Sequence, residues 1–101
     1  MQLKIVAKIK KEWYNILSKV EKQIQRLKSK PKDFTYDEAK SLLNNLGFIE
    51  YNKGKTSGSR VVFINNTICQ KIELHKPHPG NIIKSYKIKE IVKQLSEWRL
   101  I

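Results

Sequence analysis

The chain has two histidines, His75 and His78, and both fall in the short stretch "LHKPHPGN", on either side of Pro77. Upstream, "SGSRVVF" places Gly58, Ser59 and Arg60 at the start of a β-rich run. These residue types suit one chemistry, the metal-free cleavage of RNA. A 2′-hydroxyl attacks its own phosphate when one group takes its proton and another protonates the leaving oxygen, and histidine fills either role near neutral pH. An arginine then offsets the charge gathering on the phosphorane-like transition state. If neighbouring strands bring His75, His78 and Arg60 together, one phosphate can meet all three. Composition and spacing alone favour a plainer reading of each histidine, as a surface residue or a loop hydrogen-bonder.

Other chemistries find less support. The carboxylates are few and scattered, Cys-x-x-Cys is absent, and the two histidines lack a third convincing metal ligand. Gly54 and Gly58 resemble part of a phosphate loop, but the segment does not open a helix in the way such a loop requires. No cofactor is therefore expected. Zinc-finger spacing, a basic zipper and an aromatic RNP strand are likewise missing.

Charge is the strongest global signal. Twenty-one Lys and Arg against nine Asp and Glu give +12 over 101 residues, a field that attracts polyanions such as nucleic acid. The competing explanation is a solvated, lysine-rich surface. Residues 1–30 carry nine basic and two acidic side chains, so +7 lies there and +5 in the rest. Lys53, Lys55, Lys76 and Lys84 border the two motifs and, with Gly58, Ser59 and Arg60, are the candidate RNA contacts. Apolar runs fall short of a membrane span, the lysine-broken start is a poor signal peptide, and the single cysteine, Cys69, fits a reducing cytoplasm.

Residues 1–30 read as an amphipathic basic helix. Ile5, Ile9, Trp13, Ile16, Leu17, Val20, Ile24 and Leu27 form one stripe, and Pro31 ends it. The stripe needs a partner, either the domain of residues 31–101 or a second copy of itself. Thr35 and Glu38 are spaced as a capping box. They precede a helix with Ala39, Leu42, Leu43 and Leu46 on its buried side and Gly47 as its left-handed stop. Three strands are expected at 48–53, 60–64 and 68–75, with Asn65-Asn66 turning between the last two, and the third alternates, Ile68, Ile72 and Leu74 facing one way and Lys71, Glu73 and His75 the other. Ser85 is the expected cap of a final helix, whose apolar stripe is Ile88, Ile91, Val92, Leu95 and Trp98. The order α-β-β-β-α gives an α+β fold, two helices on one face of an antiparallel sheet, with the N-terminal helix added.

The runs "KDFTYDEAKSLLNNLGF", "GSRVVF", "LHKPHPGN" and "IKEIVKQL" resemble, in that order, the HicA family of mRNA-interferase toxins from type II toxin–antitoxin systems. The resemblance runs from about Lys32 to Ile101. It implies a double-stranded-RNA-binding-domain-like fold, a cofactor-free ribonuclease, and neutralisation by a HicB-type antitoxin. His78 matches the family's His-Pro-Gly, and His75 is similar to the extra upstream histidine of a subgroup that also carries Gly-Ser-Arg. Family members usually place the catalytic histidine after Gly-Ser, where this chain has Arg60. Arginine stays protonated and is a poor general base. Three functions follow: a toxin ribonuclease using His78, His75 and Arg60, a non-catalytic RNA-binding module, or an interaction protein working through its N-terminal helix.

Overall fold

The computed structural model describes residues 18–51, 60–76 and 80–101. The expectations for residues 1–17, Lys53, Lys55, Gly58, Ser59 and His78 lie outside these. Helix α1 covers 18–28 of the described residues. Then come α2 (Tyr36–Asn45), β1 (Ile49–Tyr51), β2 (Arg60–Asn65), β3 (Gln70–His75) and α3 (Ser85–Glu97). The strands form one antiparallel sheet in the order β1-β2-β3, so the chain is α+β with the expected α-β-β-β-α order after the first helix.

Alternation along the strands decides which face is covered. Val61 and Phe63 of β2 lie opposite Leu74 and Ile72 of β3, and all four are buried. Directly opposed residues in an antiparallel pair share a face, so these four form the floor of the core. Leu42 and Leu43 of α2 and Ile88, Ile91 and Leu95 of α3 close over it, joined by Phe34, Phe48 and Ile83. Trp98 packs against this core, its ring 6.2 Å from Phe48.

Leu27 of α1 is 1% exposed and belongs to the same core, with Val20 and Ile24 packed beside it. A polar seam reinforces the contact. Gln23 donates to the Ser41 hydroxyl at 2.8 Å and accepts from the Asn45 amide at 2.9 Å. Arg26 pairs with Glu38 and Asp33 and lies over the Phe34 ring. The expected capping box is present: the Glu38 N–H donates to Thr35 Oγ1, and the Thr35 N–H donates to Glu38 Oε1. Glu38 therefore serves α2 and α1 at once. The Arg26 guanidinium holds its carboxyl below the usual range, against the opposing pull of partial burial.

Gly47 ends α2 at φ +99°, as its type predicts. Its N–H reaches the Asn44 carbonyl and that of Phe48 reaches Leu43, a Schellman closure. A Cβ at Gly47 would also come within 3.1 Å of the Asn65 side chain.

Four boundaries differ from expectation. Asn65 is the last residue of β2, opposite Gln70, and not part of the turn. Its amide donates to the Leu46 carbonyl, and its Oδ1 accepts from the Thr67 and Ile68 N–H groups. The side chain thus builds the turn from inside the strand. Strand β3 begins at Gln70, because Cys69 sits in the left-handed region at φ +55°, where a strand breaks. The cap of α3 is Lys84, and Ser85 is already helical. Ile83 is held by a backbone bond to Phe34 and Ile82 bridges Thr35, so the chain is released into the helix one residue earlier. Strand β1 starts at Ile49, since the Phe48 N–H is committed to closing α2.

Two measurements check this packing. Leu27→Ala should cost about 2–5 kcal/mol in chemical denaturation, the usual range for emptying a buried leucine site; a loss near zero would mean that α1 is not part of the cooperative unit. Glu38 has a folded pKa below its unfolded value, so its contribution is complete above the ordinary glutamate range of about 4.3 and disappears as pH falls through the lowered value. Glu38→Gln should therefore destabilise at neutral pH and flatten the acid limb of the stability–pH curve.

Candidate functional site

Of the sequence-predicted site residues, the structure brings Arg60 and His75 directly together. Arg60 opens β2, His75 closes β3, and the two are opposed in the ladder. Counting back from buried Val61 and Leu74, both point to the sheet face away from the core helices, and both are exposed. Arg60 reaches diagonally to Glu73 in an ion pair of 2.5 Å. That guanidinium draws the Glu73 carboxyl below its usual range.

Lys76, one residue beyond His75, crosses to the other side. Its ammonium lies 5.8 Å from the centre of the Tyr36 ring. Tyr36, 5% exposed, donates its hydroxyl to Glu50 on β1 at 2.5 Å, and Lys40 of α2 pairs with the same carboxylate at 3.1 Å. Burial and the Glu50 contact together push the Tyr36 phenol well above its ordinary value. Burial also works against the Glu50 anion, but the hydrogen bonds from Tyr36 and Lys40 outweigh it and lower its pKa. Tyr36 also anchors the segment after β3: its N–H donates to the Asn81 carbonyl at 2.8 Å, while the Asn81 amide reaches Asp37 at 3.2 Å. Lys76 and Asn81, on either side of the His-Pro-Gly motif in sequence, thus meet the same residue of α2. Lys84 is exposed at the start of α3.

Sequence reasoning missed Glu73, Glu50 and Tyr36. Each acts through a partner on another element, and only the register reveals it. The alternation of β3 did carry one signal for Glu73, which it placed on the same face as His75. Among the described residues no group of three His, Cys, Asp or Glu could hold a metal ion, and no helix there is long and apolar enough to cross a membrane.

Residues 36–96, more than half of the chain, match the profile described as the HicA toxin of bacterial toxin–antitoxin systems. The chain belongs to the HicA toxin family. The matched segment spans α2, the whole sheet and nearly all of α3, and it contains Arg60 and His75. Helix α1 of this HicA protein lies outside it, although Leu27 supplies part of the shared core. No curated protein and no solved structure gave a match.

Glu50→Gln tests the cluster under Lys76. The amide still accepts from the Tyr36 hydroxyl but offers no charge to Lys40 or Lys76. The Tyr36 phenol should then titrate lower, yet stay above the ordinary value of about 10 because its burial is unchanged. An NMR titration of the ring resonances reads this, and an unmoved midpoint would remove Glu50 as a cause.

Proposed function

We propose that this HicA protein is the toxin of a toxin–antitoxin pair, an RNA-binding, metal-independent endoribonuclease that acts on mRNA in the cytoplasm and is neutralised by a HicB-type antitoxin. The observation that carries the reading is the opposition of Arg60 and His75 inside the family-matched segment. It sets a phosphate-binding cation beside a group able to exchange protons.

In the proposed reaction one of the two histidines, His75 or His78, accepts the proton of the 2′-hydroxyl. The 2′-oxygen forms its bond to phosphorus and the bond to the 5′-oxygen breaks. The other histidine donates a proton to that leaving oxygen. Arg60 binds the scissile phosphate and offsets its growing charge. The products are a 2′,3′-cyclic phosphate and a 5′-hydroxyl, so atoms and protons balance without a cofactor. Lys53, Lys55, Lys76 and Lys84, with Gly58 and Ser59, would follow the flanking backbone, and affinity would fall as salt rises.

A second reading has an observation of its own. Arg60 stands where the family usually places a histidine, is permanently charged, and is held by Glu73. A chain that kept phosphate binding but lost proton transfer would be an RNA-binding module.

Purified wild type, His75→Ala and His78→Ala, incubated with single-stranded RNA, separate the two. The ribonuclease reading expects cyclic-phosphate ends from the wild type and a loss of at least about 100-fold in each variant, the usual contribution of a general acid or base, with circular dichroism unchanged. Binding without new ends in the wild type would leave the module as the better description. Full activity in His78→Ala would take that residue out of the mechanism.

A further inference from the structure

The sheet face opposite the helices carries more than Arg60 and His75. The strand registers arrange it in three cross-strand rows: Ile49–Ile64–Lys71, then Tyr51–Val62–Glu73, then Arg60–His75 at the end. Ile49 and Tyr51 are 54% and 46% exposed, an isoleucine and an aromatic ring open to solvent side by side on β1; the other exposed large hydrophobics among the described residues, Ile82 and Tyr86, lie outside the sheet. Arg60, Lys71 and His75 border them and are exposed as well. The face therefore grades from apolar on β1 to basic on β3.

We propose that this face binds single-stranded RNA, with a base stacked on Tyr51 and the adjoining phosphates carried by Arg60 and Lys71. The inference rests on the RNA reading above but not on cleavage. Three features favour this occupant. The net charge of +12 suits a polyanion and opposes a second copy of the chain. Tyrosine offers a flat π-surface that any base can use, while a duplex keeps its bases stacked inside and unavailable. The geometry also fits: Arg60 lies two residues along β2 from Val62, the residue opposite Tyr51, a diagonal of about 7–8 Å that one nucleotide of extended backbone spans. A strand lying across Tyr51 toward β3 would bring its next phosphate to Arg60 and His75. Glu73 holds Arg60 there in the free protein, and an arriving phosphate would take over part of that fork. Tyr51 would then select for unpaired substrate and set the strand's register over the site.

The experiment measures binding by fluorescence anisotropy across a salt series. Its probe is a single-stranded 2′-O-methyl oligonucleotide of about a dozen nucleotides, within the range one small domain contacts, which also blocks attack by the 2′-oxygen. Tyr51→Ala should weaken binding about tenfold or more, as expected for loss of one stacked base, and leave the slope of log K against log salt unchanged. Tyr51→Phe should keep wild-type affinity. Lys71→Ala should reduce the slope by about 0.7, one phosphate contact on a single strand. The same sequence as a duplex should be insensitive to Tyr51→Ala. Tyr51 is half-exposed, so the core is unaffected, and circular dichroism checks that directly. If the wild type binds the single strand and Tyr51→Ala binds equally well, the proposal is overturned while the RNA reading survives, and the apolar face passes to a protein partner. If the wild type binds no single-stranded probe, both fail together.

Discussion

Asn65 holds the register of the β2–β3 ladder, on which the rest of the molecule depends. One side chain ties the end of β2 to the last turn of α2 and accepts the two amides that shape the 66–69 turn. With that turn fixed, six residue pairs follow, from Asn65 opposite Gln70 to Arg60 opposite His75. The side-chain period in a strand is two, so a slip of β3 by one residue against β2 would send Ile72 and Leu74 to solvent and Glu73 and His75 toward the core. The same register that builds the hydrophobic floor therefore places the candidate chemistry at the far end of the hairpin.

A second constraint acts on the loop that follows. The backbone bonds Ile83 to Phe34 and Tyr36 to Asn81 fasten the chain after Gly80 to the entrance of α2. Tyr36 also donates to Glu50, which pairs with Lys40, and its ring meets the Lys76 ammonium. Helix α2 is in turn positioned from its other side by Arg26 of α1, through the capping-box glutamate. An unbroken set of contacts thus links the N-terminal helix to the segment bearing the histidine motif. This gives α1 a structural role even though it lies outside the family segment.

The two faces of the sheet divide the labour. The helix face is apolar and closed. The outer face keeps an arginine, a lysine, a histidine and a half-exposed tyrosine within a few ångströms of rigid backbone. Functional groups on strands are held more precisely than on loops. Electrostatics at this face is moderated from within, since Glu73 engages Arg60 before any phosphate arrives.

Much of this was legible in the amino-acid order. Periodicity disclosed the helices, Thr35 with Glu38 disclosed the cap, Gly47 the stop, and alternation the inward set of Ile72 and Leu74. Each is a local rule, satisfied within one element. The Gly-Ser-Arg and His-Pro-Gly motifs pointed to the family from sequence as well. Tertiary structure decided what depends on two elements meeting. Asn65 looked like a turn residue until the end of α2 supplied its partner, and Ser85 looked like a cap until the Phe34–Ile83 bond set where the helix begins. The ion pair of Arg60 with Glu73, the clasp of Tyr36 on Glu50, and the gathering of Tyr51, Arg60 and His75 on one face all follow from strand register. Register depends on packing between segments distant in sequence, and propensity, which acts over a few residues, does not encode it.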